Sequence, residues 1–196
     1  MSAPKFITPL KQTPQTSQRV LAALLLVAIA LAVVAGSALA ANLVKNGSFE
    51  NDSNGDGMPN GWGGQDLTTA DKRVCSQSFA GNCSFKMKGD ASKDKFLFQV
   101  PSVSGGPGDA YTLKIWVKTK DLIFGAGVAR INLFLAQTDG GQDYASVNIL
   151  EGTTGWTLYT LDLLATEPYS GAWVQVQFFQ MTGKAWFDKL KLVEAP

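Results

Sequence analysis

The sequence predicts an all-β chain, a sandwich or jelly roll, on three observations. Four segments, YTLKIWVKT, ARINLFLAQ, WVQVQFFQM and AWFDKLKLV, alternate apolar and polar residues with a period of two. Gly, Pro, Asn and Asp punctuate the chain between such segments. No stretch sustains the period of an amphipathic helix. Strands spaced regularly by turn signals are the pattern of β-sandwiches and jelly rolls.

The chain opens on a mostly polar segment whose only charges are Lys5, Lys11 and Arg19. An apolar run from Val20 to Ala35 follows, then a small-residue end at Ala38-Leu39-Ala40. This is the layout of a secretory signal cleaved after Ala40. The alternative is an uncleaved anchor, because the apolar stretch is long enough to cross about 30 Å of hydrocarbon. Either way the expected location is extracytoplasmic, secreted or at the cell surface, with membrane contact only if the segment is retained. Residues 1–40 are therefore read as the signal and 41–196 as one β-sandwich domain, expected to be a monomer. A domain of this length buries roughly two-thirds of its unfolded surface.

Without Lys5, Lys11 and Arg19 the domain keeps 14 of the 17 basic residues against all 16 acidic ones, a net charge of −2. The composition supplies no basic stripe for a phosphate backbone, so no nucleic-acid partner is expected.

Cys75 and Cys83 are the only cysteines. Lys72 to Ser76 and Cys83 to Lys88 read as short strands around a Phe79-Ala80-Gly81-Asn82 turn. In an oxidising compartment a bridge would staple this hairpin, worth about 2.6 kcal/mol for a loop of this length. Two unpaired buried thiols are the alternative.

Alternation sorts the longer strands by face. Tyr111, Leu113, Ile115 and Val117 point one way; Lys114, Trp116 and Lys118 point the other. Ile131, Leu133 and Leu135 oppose Arg130, Asn132 and Phe134, while Val174, Val176 and Phe178 oppose Trp173, Gln175, Gln177 and Phe179. If these three strands share one sheet, Trp116, Arg130, Asn132, Phe134, Gln175 and Gln177 form a face too apolar for plain solvent and too polar for a core. That face is the candidate ligand-binding surface. Trp62, Trp156 and Trp186 are read as packing, Trp186 in register with Leu190 and Leu192. Trp116 differs because its neighbours on the same face are lysines.

The loop Asp52-Ser53-Asn54-Gly55-Asp56-Gly57-Met58 places oxygen side chains at positions one, three and five and a glycine at six, as a calcium loop requires. Asp52, Asn54 and Asp56 are the candidate ligands. Position twelve is Gly63, so this is no complete EF-hand, and a plain turn is the alternative. Catalysis is not expected. The chain has no His, which removes the commonest general base and the ordinary Ser and Cys triads. Most of its acids fall in turn segments.

Several short motifs resemble one family group. NLVKNGSFE from Asn42 to Glu50, followed by PNGW from Pro59 to Trp62, is similar to the opening of carbohydrate-binding modules of families four, nine and twenty-two. GNCSFKMKG, FLFQV, GDAYTLKIWVKTK, GWTLYT and the closing GKAWFDKLKLVE continue the resemblance over nearly the whole domain. The resemblance implies a galactose-binding-domain-like jelly roll with a polysaccharide or oligosaccharide as partner. It also implies a structural calcium near the chain ends, with Glu50 and Asp188 as acidic ligands helped by main-chain oxygens around Gly47 and Ser48. An adhesion or spacer domain with no glycan ligand is the alternative function.

Overall fold

The computed structural model of the chain describes residues 41–195, so the expected signal or anchor of residues 1–40 lies outside the described residues. Ten strands follow in chain order: β1 (Gly63–Gln65), β2 (Lys72–Val74), β3 (Ser84–Lys88), β4 (Asp94–Gln99), β5 (Ala110–Ile123), β6 (Val128–Gln137), β7 (Gln142–Asn148), β8 (Gly152–Leu164), β9 (Tyr169–Phe179) and β10 (Thr182–Glu194). They pair antiparallel in two five-stranded sheets. The first sheet has the order β1-β4-β9-β6-β7 and the second β2-β3-β10-β5-β8. Apart from the β2-β3 and β6-β7 connections, each link carries the chain from one sheet to the other.

The four alternating segments become β5, β6, β9 and β10, and their apolar sets form the interior. Leu113, Ile115 and Val117 of β5 are fully buried with Ile131, Leu133 and Leu135 of β6 and Val174 and Val176 of β9. Phe178 and Phe187 meet edge to face across the two sheets, ring centroids 6.0 Å apart. The strand β7 was not apparent in the sequence. Its inward positions are only Asp143, Ala145 and Val147, too small or too polar to mark an apolar face; Asp143 is satisfied by the Thr166 hydroxyl at 2.6 Å and amide at 3.0 Å.

The motifs at the start of the domain fasten it to β10. Leu43 donates its amide to Leu192 O and Leu190 donates to Gly47 O. The Asn42 side chain accepts from Leu192 and donates to Leu190 O. A Cβ on Gly47 would sit 2.0 Å from the Leu190 carbonyl oxygen, so only glycine allows this approach. Asn46, held at φ 50°, donates to Asn51 O and Asn60 O, while Trp62 donates its indole N–H to Asn46 O. The Trp62 and Phe49 rings pack 5.0 Å apart.

Cys75 and Cys83 are disulfide-bonded, just past the register pair Val74 and Ser84 of the β2-β3 hairpin. The expected hairpin staple is therefore present. Under the same hairpin Lys95, pointing inward from β4, pairs with Asp71 at 2.8 Å, both side chains buried. Asp71 also accepts from the Lys88 amide and from the Thr68 amide and hydroxyl. Burial pushes the Asp71 carboxyl up, but the Lys95 ammonium and the Lys88 and Thr68 donors together hold it below its usual value.

One expectation about register fails in β10. A bulge between Asp188 and Lys191 shifts the phase of the strand, so Trp186 does not share the inward face of Leu190 and Leu192. It lies on the outer face of the second sheet, opposite Lys86 and Lys118, and is covered there by lysines. Among the described residues no helix is long and apolar enough to cross a membrane.

Candidate binding face

The outer face of the first sheet is ordered in rows by strand register. Trp173, Phe134 and Tyr144 lie side by side across β9, β6 and β7. The next row holds Phe98, Gln175, Asn132 and Ser146, and the one beyond holds Phe96, Gln177, Arg130 and Asn148. An aromatic row thus runs beside an amide row, at the strand spacing of about 4.8 Å.

The aromatic row is accessible. Trp173 is 45% exposed and Tyr144 46% exposed. Phe134 and Tyr144 stack at 4.8 Å with planes 30° apart, and Phe98 flanks Trp173 at 5.7 Å. A cleft of about 560 Å³ lies along this row, between Val100, Trp173, Phe134, Gln175 and Gln142. Val100 also borders a second hollow of about 450 Å³ that reaches Phe98 and Gly63. A Cβ on Gly63 would meet the Phe98 ring at 2.8 Å, so the glycine lets the ring lie down on the sheet.

The amide row is pre-arranged by Asn132, which is itself buried. Asn132 donates to Gln175 Oε1 at 2.9 Å and to Gln177 Oε1 at 3.4 Å. Its carbonyl oxygen accepts from the Ser146 hydroxyl at 2.8 Å and the Tyr144 hydroxyl at 3.3 Å. Asn132 is therefore a positioning residue with its hydrogen-bonding capacity spent inside the sheet, while Gln175 and Gln177 keep their N–H donors for a ligand. Arg130 borders a third hollow of about 300 Å³ with Gln177 and Phe179, and its Nε is buried without a partner.

Five of the six expected ligand-binding residues, Arg130, Asn132, Phe134, Gln175 and Gln177, are thus brought together. Trp116 is not among them. It belongs to β5 in the second sheet, because the chain crosses between sheets after β5. There Phe79 stacks on its ring at 3.8 Å, and Trp156 meets Phe79 edge-on at 6.0 Å. The face gains Tyr144, Ser146 and Phe98, which sequence reading did not single out. Two of these come from β7, and the alternation of Phe96 and Phe98 in β4 was the available signal for the third.

The acidic residues hold loops. Asp188 is fully buried and accepts from the Phe79 and Ala80 amides at 2.8 and 3.0 Å. Glu50 Oε1 accepts from Asn82 at 2.9 Å and Cys83 at 3.3 Å. Both carboxylates thus grip the disulfide loop. Burial pushes the Asp188 carboxyl up, against the opposing pull of the Ala80, Phe79 and Lys189 amides. Main-chain oxygens a cation would need are also engaged: Phe49 O and Glu50 O by the Arg73 guanidinium and Gly47 O by Leu190. In the other loop Asp52 accepts from the Gly55 and Gly57 amides, Asp56 accepts from Met58, and Asn54 donates to Asp56. These are hard oxygen donors within one short exposed loop, the chemistry that suits calcium.

No family model matches the chain, and no curated protein matches its sequence. Solved structures match its fold. A family 16 carbohydrate-binding module is 21% identical, with a TM-score of 0.57 over 78% of this chain and 100% of that one. A family 61 module in complex with β-1,4-galactotriose is 19% identical, with a TM-score of 0.53 over 79% of this chain and 99% of that one. The enzymatically active domain of tailspike protein 4 of bacteriophage CBA120 is 17% identical, with a TM-score of 0.60 over 79% of this chain; the match spans only 21% of that chain. Cyclases from Fischerella sp. TAU also share the fold, one of them 17% identical with a TM-score of 0.57 over 78% of this chain and 96% of that one. The fold is therefore one that binding modules and enzymes both use.

Proposed function

We propose that this domain is a non-catalytic binding module for a polysaccharide or oligosaccharide, held on the outer face of the first sheet. The observation that carries the reading is the exposed row Trp173-Phe134-Tyr144 lying in register beside the pre-arranged amides of Gln175 and Gln177. A sugar ring offers C–H faces that pack on aromatic π-surfaces and hydroxyls that need both donors and acceptors. The aromatic row meets the first need; the glutamine amides and Arg130 meet the second. Carbohydrate-binding modules among the structures of like fold support the same reading.

The absence of acids along the cleft favours binding over catalysis. Its lining is aromatic, aliphatic, amide, hydroxyl and glycine, and none of those residues is a carboxylate. Glycoside hydrolysis requires two, about 5 to 10 Å apart across the substrate.

Export to an oxidising compartment and a monomeric state belong to this reading, and the Cys75–Cys83 bridge supports the compartment. Calcium enters as a structural ion, held by Asp52, Asn54 and Asp56. It would supply a charge that draws the loop's oxygens together. Glu50 and Asp188, already committed to loop amides, form the second proposed place. The reading is tested by titrating glycans against the protein and against Trp173→Ala, with loss of binding in a folded variant as the expected result.

A further inference from the structure

The outer face of the second sheet concentrates positive charge that the net charge of the domain conceals. Register places Lys72, Lys86, Trp186 and Lys118 in one row across β2, β3, β10 and β5. The neighbouring row is Lys88, Lys184 and Lys120, one lysine on each of three adjacent strands. Like charges directly opposite one another on a sheet are destabilising, so this arrangement costs the free domain stability.

Among the described residues no carboxylate forms an ion pair with any of the six lysines. Among the described residues the one ion pair is Lys95 with Asp71. The acids on this face lie outside the two rows and are engaged elsewhere, Asp188 by loop amides and Asp162 by the Thr112 hydroxyl. Burial, then the nearby Lys72 and Lys184, hold the Lys86 ammonium below its usual pKa, as expected for crowded cations. Lys118 and Lys184 carry their ammonium groups 5.9 and 5.5 Å from the Trp186 ring centroid. The ring is only 9% exposed beneath them.

We propose that this face is a second binding site, on the opposite side of the sandwich from the first, for an acidic polysaccharide of the polyuronate class. A polyuronate presents one carboxylate per sugar, a regular row of anions to set against ammonium groups on neighbouring strands roughly 4.8 Å apart. Ammonium groups are point charges that impose no fixed pairing geometry, so they can follow carboxylates repeated along a flexible chain. The covered Trp186 offers no platform on which a nucleic-acid base could stack, and neither row contains an exposed apolar side chain to enter a membrane. The inference does not depend on the glycan reading of the first sheet.

The test is binding of the protein to polygalacturonate, with neutral galactan, a duplex DNA and phosphatidylserine vesicles alongside. Polygalacturonate should bind, and its affinity should fall at least about tenfold between about 20 and 200 mM salt, as released counterions require. The double variant Lys88→Gln, Lys120→Gln should bind at least about tenfold more weakly without a lower melting temperature, because it removes like-charge repulsion. If that variant proves unstable, Lys72→Gln at the sheet edge and the salt dependence of the native protein read the same property. Trp173→Ala, on the other sheet, should bind polygalacturonate as the native protein does; failure of the native protein to bind any neutral glycan would count against the first site and leave this one standing. Failure to bind polygalacturonate at low salt overturns the proposal. Indifference to salt and to the lysine substitutions overturns it too, as does tighter binding of DNA or of the vesicles.

Discussion

Phe79 lies stacked on Trp116, ring centroids 3.8 Å apart and planes 12° from parallel. The stack closes the disulfide loop over β5, and the carboxylate of Asp188, the register neighbour of Trp116 on β10, accepts from the Phe79 amide. Trp116 is therefore the floor of a loop. Trp116→Ala should lower stability by about 1–3 kcal/mol, less than the loss of a fully buried tryptophan, and leave glycan affinity of the folded fraction unchanged. Denaturant unfolding and titration on the same sample check both halves.

Acid should weaken the fold through Asp71. Its carboxyl is held below its usual value in the folded state, so the unfolded chain takes up that proton first as pH falls. The stability the group contributes is fully present above the unfolded value near about 4 and is lost as pH drops through the folded one. In Asp71→Asn this dependence disappears. Lys95 is then left buried without its partner, and the neutral-pH stability falls by about 3–5 kcal/mol. Stability measured from pH 7 to pH 3 on both proteins separates the two effects.

Calcium should raise the melting temperature and chelator should lower it, by binding to the folded form. The two proposed places give different signatures. Asp56→Ala should remove the loop's share of the calcium response while leaving the metal-free protein almost unchanged. Asp188→Ala should destabilise with or without the ion, because it strands the Phe79 and Ala80 amides. A native melting curve identical in excess calcium and in chelator contradicts the calcium proposal at both.

Much of this was legible in the residues because period-two alternation reports which side of a strand is wet. It gave β5, β6, β9 and β10 and sorted Asn132, Gln175 and Gln177 onto one side. Alternation carries no information about which strands are neighbours, and that is why Trp116 was grouped with residues of the other sheet. The same blindness hid the lysine face: Lys72, Lys86, Lys88, Lys118, Lys120 and Lys184 are scattered along the chain and converge only through pairing. Trp186 was misplaced by a bulge of one extra residue between Asp188 and Lys191, which no pattern of apolar residues announces. Of the motifs behind the family resemblance, NLVKNGSFE fastens the start of the domain to β10 and PNGW packs back on NLVKNGSFE. They speak for the fold, and the candidate site lies on other residues.

Asn132→Ala should reveal the site's internal order. The substitution removes four hydrogen bonds from a buried amide and should cost about 1–3 kcal/mol of stability. It should also weaken glycan binding, because Gln175 and Gln177 lose the contact that aims them. Unchanged affinity in the folded variant would show that the glutamines hold their orientation without it.

The most direct measurement is calorimetric titration of β-glucan, xylan, mannan and galactan oligosaccharides into the native protein, Trp173→Ala and Tyr144→Ala. One of these glycans should bind the native protein with a Kd of about 1 μM to 1 mM. Each substitution should weaken that binding at least about tenfold while leaving the melting temperature unchanged, since both side chains are nearly half exposed. Binding of none of the glycans, or binding that survives both substitutions intact, would contradict the assignment of this face.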